Sequence, residues 1–182
     1  MFKYSAAIPS IVQATLKAAD EDEWAFNLQG GDKLRLGWMP FQMADFVAIM
    51  SEVVREANGF DFCEIGSGIG TKLSVASVLF GLSVEGIEYD ETLATVSNQK
   101  NRGHVWVGDA LQYPYTYGSF DIIWMYRVFR DVVLQDELEQ RIYREMQSGG
   151  IFAGAALQHA PDGWEIIVDD FDTGNRGAWK KP

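Results

Sequence analysis

Segments with strand-like and helix-like hydrophobic patterns alternate through most of the chain. Short segments typical of strands occupy positions 60–65, 83–89, 104–107, 120–124 and 151–157. Stretches with helical periodicity predict helices at 40–58, 71–80, 90–101 and 134–147. This alternation favours an α/β fold in which helices cover both faces of a mostly parallel sheet.

The end of the chain departs from that alternation. Only six residues, 158–163, separate the fifth predicted strand from the next apolar run, at 164–170. Because a helical return to a parallel strand needs about a dozen residues, we expect 164–170 to fold back antiparallel onto 151–157. A terminal strand is predicted near 177–180. The pattern therefore predicts a three-layer open sheet, mostly parallel, with an antiparallel C-terminal hairpin.

The N-terminal region carries weaker patterns. Residues 11–19 predict a short helix, and residues 29–32 predict a turn. No linker divides the chain, so we expect one domain over residues 1–182. It would comprise an N-terminal helical or cap extension, 1–58, and a core, 59–182.

Composition narrows the class of partner. The net charge of −11 argues against a nucleic-acid backbone, which needs clustered Lys and Arg. The single cysteine, Cys63, excludes an internal disulfide and fits a reducing compartment. No apolar run reaches the roughly 20 residues needed to cross a membrane, and no signal-peptide core is present. We therefore expect a cytoplasmic protein without a membrane segment, and the sequence carries no signal for an oligomeric state.

The first predicted strand ends in the run E-I-G-S-G-I-G at positions 64–70, just before a predicted helix. Glycines permit a sharp turn and bring a ligand against bare backbone, while the helix N-terminus offers N–H donors. A tight turn without a ligand is the alternative. The acid at the start of the run would repel phosphate but suits a ligand with a cationic amine. The candidate binding residues are Glu64, Gly66, Ser67, Gly68 and Gly70.

This run resembles the first motif of the class I S-adenosylmethionine-dependent methyltransferases. The resemblance covers roughly residues 59–156, and the segment F-D-I-I at 120–123 resembles a later motif of the same family. It implies a Rossmann-like fold and S-adenosyl-L-methionine as the cofactor, without a metal.

Two further acids fall at family landmarks. Glu88 lies 22 residues past Gly66, the spacing at which an acid meets a ribose hydroxyl pair, and a surface charge is the alternative. Tyr89 follows it and could lie against the adenine ring. The resemblance implies that Asp109, with Ala110 beside it, accepts from the adenine amino group. For Asp109, a turn cap is the alternative.

The acceptor site is expected where the fourth and fifth strands end. The resemblance implies that Trp124, Tyr126 and Arg127 face the methyl group, with Trp38 as a wall. Ligands of open α/β sheets bind outside the carboxyl ends of the strands, so His159 is the candidate general base and Arg127 a clamp for an anionic group. A solvated loop histidine is the alternative. The Pro-Pro-aromatic motif of amino-directed DNA methyltransferases and the magnesium-binding aspartates of catechol-type enzymes are absent.

The predicted function is therefore methyl transfer from S-adenosyl-L-methionine to an unidentified acceptor. A small molecule or a protein side chain is expected rather than nucleic acid. The first alternative is a non-catalytic, methyltransferase-like binding module. The second is a dinucleotide-dependent oxidoreductase, against which Glu64 and Asp109 both count.

Overall fold

The computed structural model describes residues 17–19, 41–101, 104–170 and 176–182. Within them lie seven strands: β1 Asp61–Ile65, β2 Ser83–Glu88, β3 His104–Val107, β4 Ile122–Tyr126, β5 Ile151–Ala155, β6 Glu165–Asp170 and β7 Arg176–Lys180. They form one sheet in the order β3-β2-β1-β4-β5-β7-β6. Strands β1 to β5 pair in parallel, and β7 is antiparallel to both β5 and β6.

Helices cover both faces of this sheet. Three of them, α1 (Met43–Glu56), α2 (Thr71–Phe80) and α3 (Glu91–Asn101), share one hydrophobic cluster on the first face. Helix α4 (Val132–Glu145) packs in a second cluster on the opposite face, with two short 3-10 helices at 110–112 and 117–119. Successive residues of β4 contribute to opposite clusters, Trp124 to the first and Met125 to the second, as the pleat of a strand requires.

The predicted fold class is confirmed, and each predicted helix or strand between residues 40 and 157 is present with ends shifted by at most three residues. Residues 17–19 are helical, while the rest of the predicted helix at 11–19, the turn at 29–32 and Trp38 lie outside the described residues. None of the described helices is long and apolar enough to cross a membrane.

The predicted pairing of the C-terminal hairpin is wrong. β6 pairs with β7, and β7 lies between β6 and β5, so β5 and β6 run in the same direction without pairing with each other. Nine residues, 156–164, return the chain from the end of β5 to the start of β6 without a helix. Extended, they reach roughly 30 Å. The return must run back along β5, a five-residue strand of roughly 17 Å, and must move across two strand spacings, roughly 10 Å. The length rule behind the prediction applies to helical crossovers, which this return is not.

A candidate cofactor site at the carboxyl edge of the sheet

The glycine run forms a left-handed turn between β1 and α2. Gly66, Gly68 and Gly70 have φ of 74°, 54° and 76°, values that side chains other than glycine rarely adopt. The main-chain N–H groups of Gly66 and Ser67 both donate to the carbonyl of Ile87, at 2.8 and 3.1 Å. The turn is therefore tied to the end of β2, where the second landmark lies.

Glu88 is held against this turn. Its Oε2 accepts from Gly68 N at 2.7 Å, and its Oε1 accepts from Asp90 N at 2.8 Å, in a side chain that is 8% exposed. Burial raises the pKa of this carboxyl, and the hydrogen bonds from Asp90 and Gly68 oppose the rise. The structure thus brings together the glycine turn and Glu88, the residue predicted to bind the ribose.

The segment around Asp109 lies next to Glu88. Gly108 N donates to the carbonyl of Glu88 at 2.8 Å, which places the end of β3 beside the end of β2. Asp109 caps the first 3-10 helix, its Oδ1 accepting from Leu111 N at 3.0 Å. Ala110 is buried, and Tyr89 is exposed at the end of β2. These residues line one edge together, although Asp109 also takes the capping role that was its alternative.

Glu64 forms a buried ion pair that sequence reasoning missed. Its Oε1 lies 3.3 Å from Nζ of Lys72, and the two side chains are 1% and 3% exposed. Lys72 stands in the first turn of α2, where the helix dipole disfavours a positive charge. A lysine at this unfavourable position, directly after a glycine turn, was the feature of the sequence that could have indicated a buried partner for Lys72.

The end of β4 is more enclosed than expected. Trp124 is fully buried, with its ring edge-on to Phe46 at 4.9 Å and to Phe41 at 5.5 Å between ring centres. Its Nε1 has no hydrogen-bond partner among the described residues. Tyr126 packs on Phe41 in the same way, at 5.0 Å. Both rings therefore lie among the aromatic side chains of the α1 face, and Trp124 is register neighbour to Glu64.

Arg127 and His159 are not brought to the glycine turn by the contacts they make. The Arg127 guanidinium donates to the carbonyls of Phe129 and Arg130, at 3.0 and 3.3 Å. The His159 side chain is 66% exposed, and its Nε2 lies 3.8 Å from Oδ1 of Asp136 on α4. It lines a cavity of about 580 Å³ between α4 and the segment after β5, and no predicted cofactor residue contributes to that lining.

Two buried residues of α4, also missed from the sequence, hold the loops after β4 and β5. Gln135 Oε1 accepts from the main-chain N–H groups of residues 128 and 129, at 3.2 and 3.1 Å. Gln135 Nε2 donates to Glu139 Oε1 at 2.8 Å. The Glu139 carboxylate in turn accepts from Gln158 N at 3.0 Å and from His159 N at 3.2 Å. Burial raises the pKa of Glu139, and these hydrogen bonds oppose the rise.

Family comparison identifies the class of protein. The model of the methyltransferase domain family matches residues 63–154, which is 92 of the 182 residues, so the chain belongs to this family. No curated protein matches the sequence significantly.

Solved structures show the same fold. An RNA methyltransferase from Salinibacter ruber, in complex with S-adenosyl-L-homocysteine, aligns with a TM-score of 0.62 at 16% identity, over 79% of this chain and 94% of that one. Geranyl diphosphate C-methyltransferase from Streptomyces coelicolor A3(2) aligns with a TM-score of 0.54 at 21% identity, over 63% and 43%. Phosphoethanolamine N-methyltransferase 2 from Haemonchus contortus, in complex with S-adenosyl-L-methionine, aligns with a TM-score of 0.52 at 25% identity, over 76% and 31%. The chain thus spans less than half the length of the last two.

Family and fold together confirm the predicted class: the protein is a class I S-adenosylmethionine-dependent methyltransferase. The residues at the carboxyl edge fit that cofactor. Ser67 Oγ and Thr71 Oγ1, at the glycine turn, are buried atoms without a hydrogen-bond partner among the described residues. Polar atoms of a ligand entering the turn would therefore find groups to bond.

Proposed function

We propose that this protein transfers the methyl group of S-adenosyl-L-methionine to a small molecule or to a protein side chain. The observation that carries the proposal is the 2.7 Å hydrogen bond from Gly68 N to Glu88 Oε2. It holds a buried acid at the next strand end beside the glycine turn, where an acid at this spacing can accept from a ribose hydroxyl. The bound cofactor supplies a methyl group on a sulfonium that departs as a neutral thioether.

Four groups would hold the cofactor. Glu64 would pair with the ammonium group, the glycine turn would offer main-chain donors, Glu88 would accept from the ribose hydroxyls, and Asp109 would accept from the adenine amino group. Glu88 and Asp109 already accept from main-chain N–H groups. A carboxylate has about four acceptor positions, so these bonds do not exclude a ligand. The exposed ring of Tyr89 can cover the adenine.

Positioning and exclusion of water account for most of the expected catalysis. An acceptor held in line with the methyl group at about 3–3.5 Å gains several kcal/mol from orientation alone. A general base is required only when the acceptor loses a proton. We keep His159 as the candidate base and Tyr126 and Arg127 as candidate acceptor contacts, although the ring of His159 lies against α4.

The class of acceptor follows from charge rather than from the fold. The solved neighbours are named for RNA, geranyl diphosphate and phosphoethanolamine, three different kinds of acceptor. The net charge of −11 repels a phosphate backbone, which favours a small molecule or a protein over a polynucleotide.

Calorimetry on the purified protein tests the cofactor assignment. S-adenosyl-L-methionine and S-adenosyl-L-homocysteine should bind, and NAD should not; tighter binding of NAD than of either would refute it. Methyl-labelled cofactor offered with panels of small molecules, peptides and RNA then identifies the acceptor. Tight cofactor binding without transfer to any of them would favour the non-catalytic binding module.

A further inference from the structure

Lys72 is a buried cation in the first turn of α2. Its Nζ lies 3.3 Å from Oε1 of Glu64, and both side chains are almost fully buried. Removing two charges from water costs several kcal/mol for each ion, and a hydrophobic pair of similar volume is often as stable. The first turn of a helix is also an unfavourable place for a cation. The position of the pair, beside the glycine turn, points to a role in binding.

We propose that Lys72 is a cofactor-binding residue that pairs with the carboxylate of the methionyl group, while Glu64 pairs with its ammonium. This inference rests on the proposed function. The ion pair places one negative and one positive group side by side, and the amino-acid end of the cofactor carries the complementary two. Each charge of the zwitterion would then face its opposite.

Charge balance makes the pair selective. A zwitterion adds no net charge to a buried site, so it can approach Glu64 and Lys72 at low electrostatic cost. A ligand with only an ammonium would bring a second cation next to Lys72, where repulsion is poorly screened. Lys72 therefore discriminates against ligands that have the amine but lack the carboxylate.

Three other polar side chains among the described residues are less suited to this role than Lys72. The side chains of Ser67 and Thr71 are neutral, and the Arg127 guanidinium is held by the carbonyls of Phe129 and Arg130. Gly70, the N-cap of α2, provides no side-chain cap, so the helix N-terminus adds positive potential at the same place.

Three ligands separate the contributions in calorimetry. S-adenosyl-L-homocysteine carries both charged groups, its decarboxylated form carries only the amine, and 5′-methylthioadenosine carries neither. In Lys72→Met, affinity for S-adenosyl-L-homocysteine should fall about 10- to 100-fold, the range for lost hydrogen bonds to charged groups. Affinity for 5′-methylthioadenosine should stay within about twofold, and the decarboxylated ligand should bind as well or better, because repulsion is relieved.

Two further variants guard against misfolding. Lys72→Met leaves Glu64 buried without this counter-charge, which is destabilising, so the double variant Glu64→Gln/Lys72→Met removes both charges. It should fold and should lose selectivity between the three ligands. Lys100→Met, at an exposed lysine on α3, is the matched control and should leave all three affinities unchanged.

Each outcome decides the matter. Equal weakening of all three ligands in Lys72→Met, or unchanged binding of S-adenosyl-L-homocysteine, would overturn the role of Lys72 while leaving the proposed function intact. If the wild-type protein bound neither S-adenosyl-L-homocysteine nor S-adenosyl-L-methionine, the proposed function itself would fail, and this inference with it.

Discussion

Replacing Glu139 with glutamine tests how α4 holds the loop after β5. The carboxylate accepts from Gln135 Nε2 and from the N–H groups of Gln158 and His159. Glutamine keeps the shape and one oxygen, which can serve Gln135 and Gln158. Its amide nitrogen then faces His159 N, so one accepted hydrogen bond is replaced by two opposed donors.

The size of the effect depends on pH. Losing the His159 bond costs about 1–3 kcal/mol. Burial also raises the pKa of Glu139 above its ordinary value of 4.5, so the folded protein binds the proton of the Glu139 carboxyl more tightly than the unfolded chain does. The stability from this group is therefore fully present below pH 4.5 and is lost as pH rises through the folded pKa. Each pH unit between the two pKa values removes about 1.4 kcal/mol of the wild-type advantage.

Denaturant unfolding from about pH 4 to about pH 8 measures this difference. The advantage of wild type over Glu139→Gln should shrink as pH rises, and amide exchange at His159 should be faster in the variant. Glu137→Gln removes the same charge from an exposed position of α4 and should stay within about 0.5 kcal/mol of wild type. An advantage that grows with pH would show that the fold stabilises the Glu139 anion. Unchanged exchange at His159 would show that the carboxylate does not hold this loop.

Two substitutions address the remaining site residues. Glu88→Ala should weaken S-adenosyl-L-homocysteine binding by about 1–3 kcal/mol in calorimetry, because ribose hydroxyls lose a buried acceptor. Glu91→Ala, at an exposed position nearby, is the control. Equal affinities in the two variants would remove Glu88 from the site. A general base contributes about 10²–10⁴-fold to turnover. If His159 is that base, His159→Ala should reduce turnover by this factor and leave cofactor affinity unchanged, because its ring lies beside Asp136 on α4. A fall of less than about tenfold, measured with labelled cofactor once an acceptor is known, would remove His159 from this role.

The arrangement of the glycine turn and Glu88 was predictable because it depends on short-range spacing. The alternating glycines required a left-handed turn, and the positive φ of all three glycines agrees. The 22-residue spacing from Gly66 placed Glu88 at the neighbouring strand end, where it reaches Gly68. Strand bounds were less certain for a physical reason. Phe120 is apolar and buried, but it caps the second 3-10 helix instead of starting β4, which begins at Ile122.

Other features were not predictable because their contacts join residues that are distant in sequence or depend on the direction of a side chain. Lys72 follows a helical pattern that does not reveal its pairing with Glu64. Trp124 was expected to face the ligand, but its place in the strand alternation directs its ring under Phe46. The pairing of β6 depended on whether 156–164 returned as a helix or as extended chain, and the pattern of apolar residues does not distinguish the two.

The two halves of the carboxyl edge are therefore held by different means. On the cofactor side, the backbone of the glycine turn bonds directly to the carboxyl end of β2, at Ile87 and Glu88. On the other side, the loops after β4 and β5 are held by two side chains of α4, Gln135 and Glu139. A change in either side chain can move these loops while the glycine turn and Glu88 keep their contacts. If the acceptor binds at these loops, as we propose, its identity can vary without a change in cofactor, because function often resides in loops that a rigid scaffold positions.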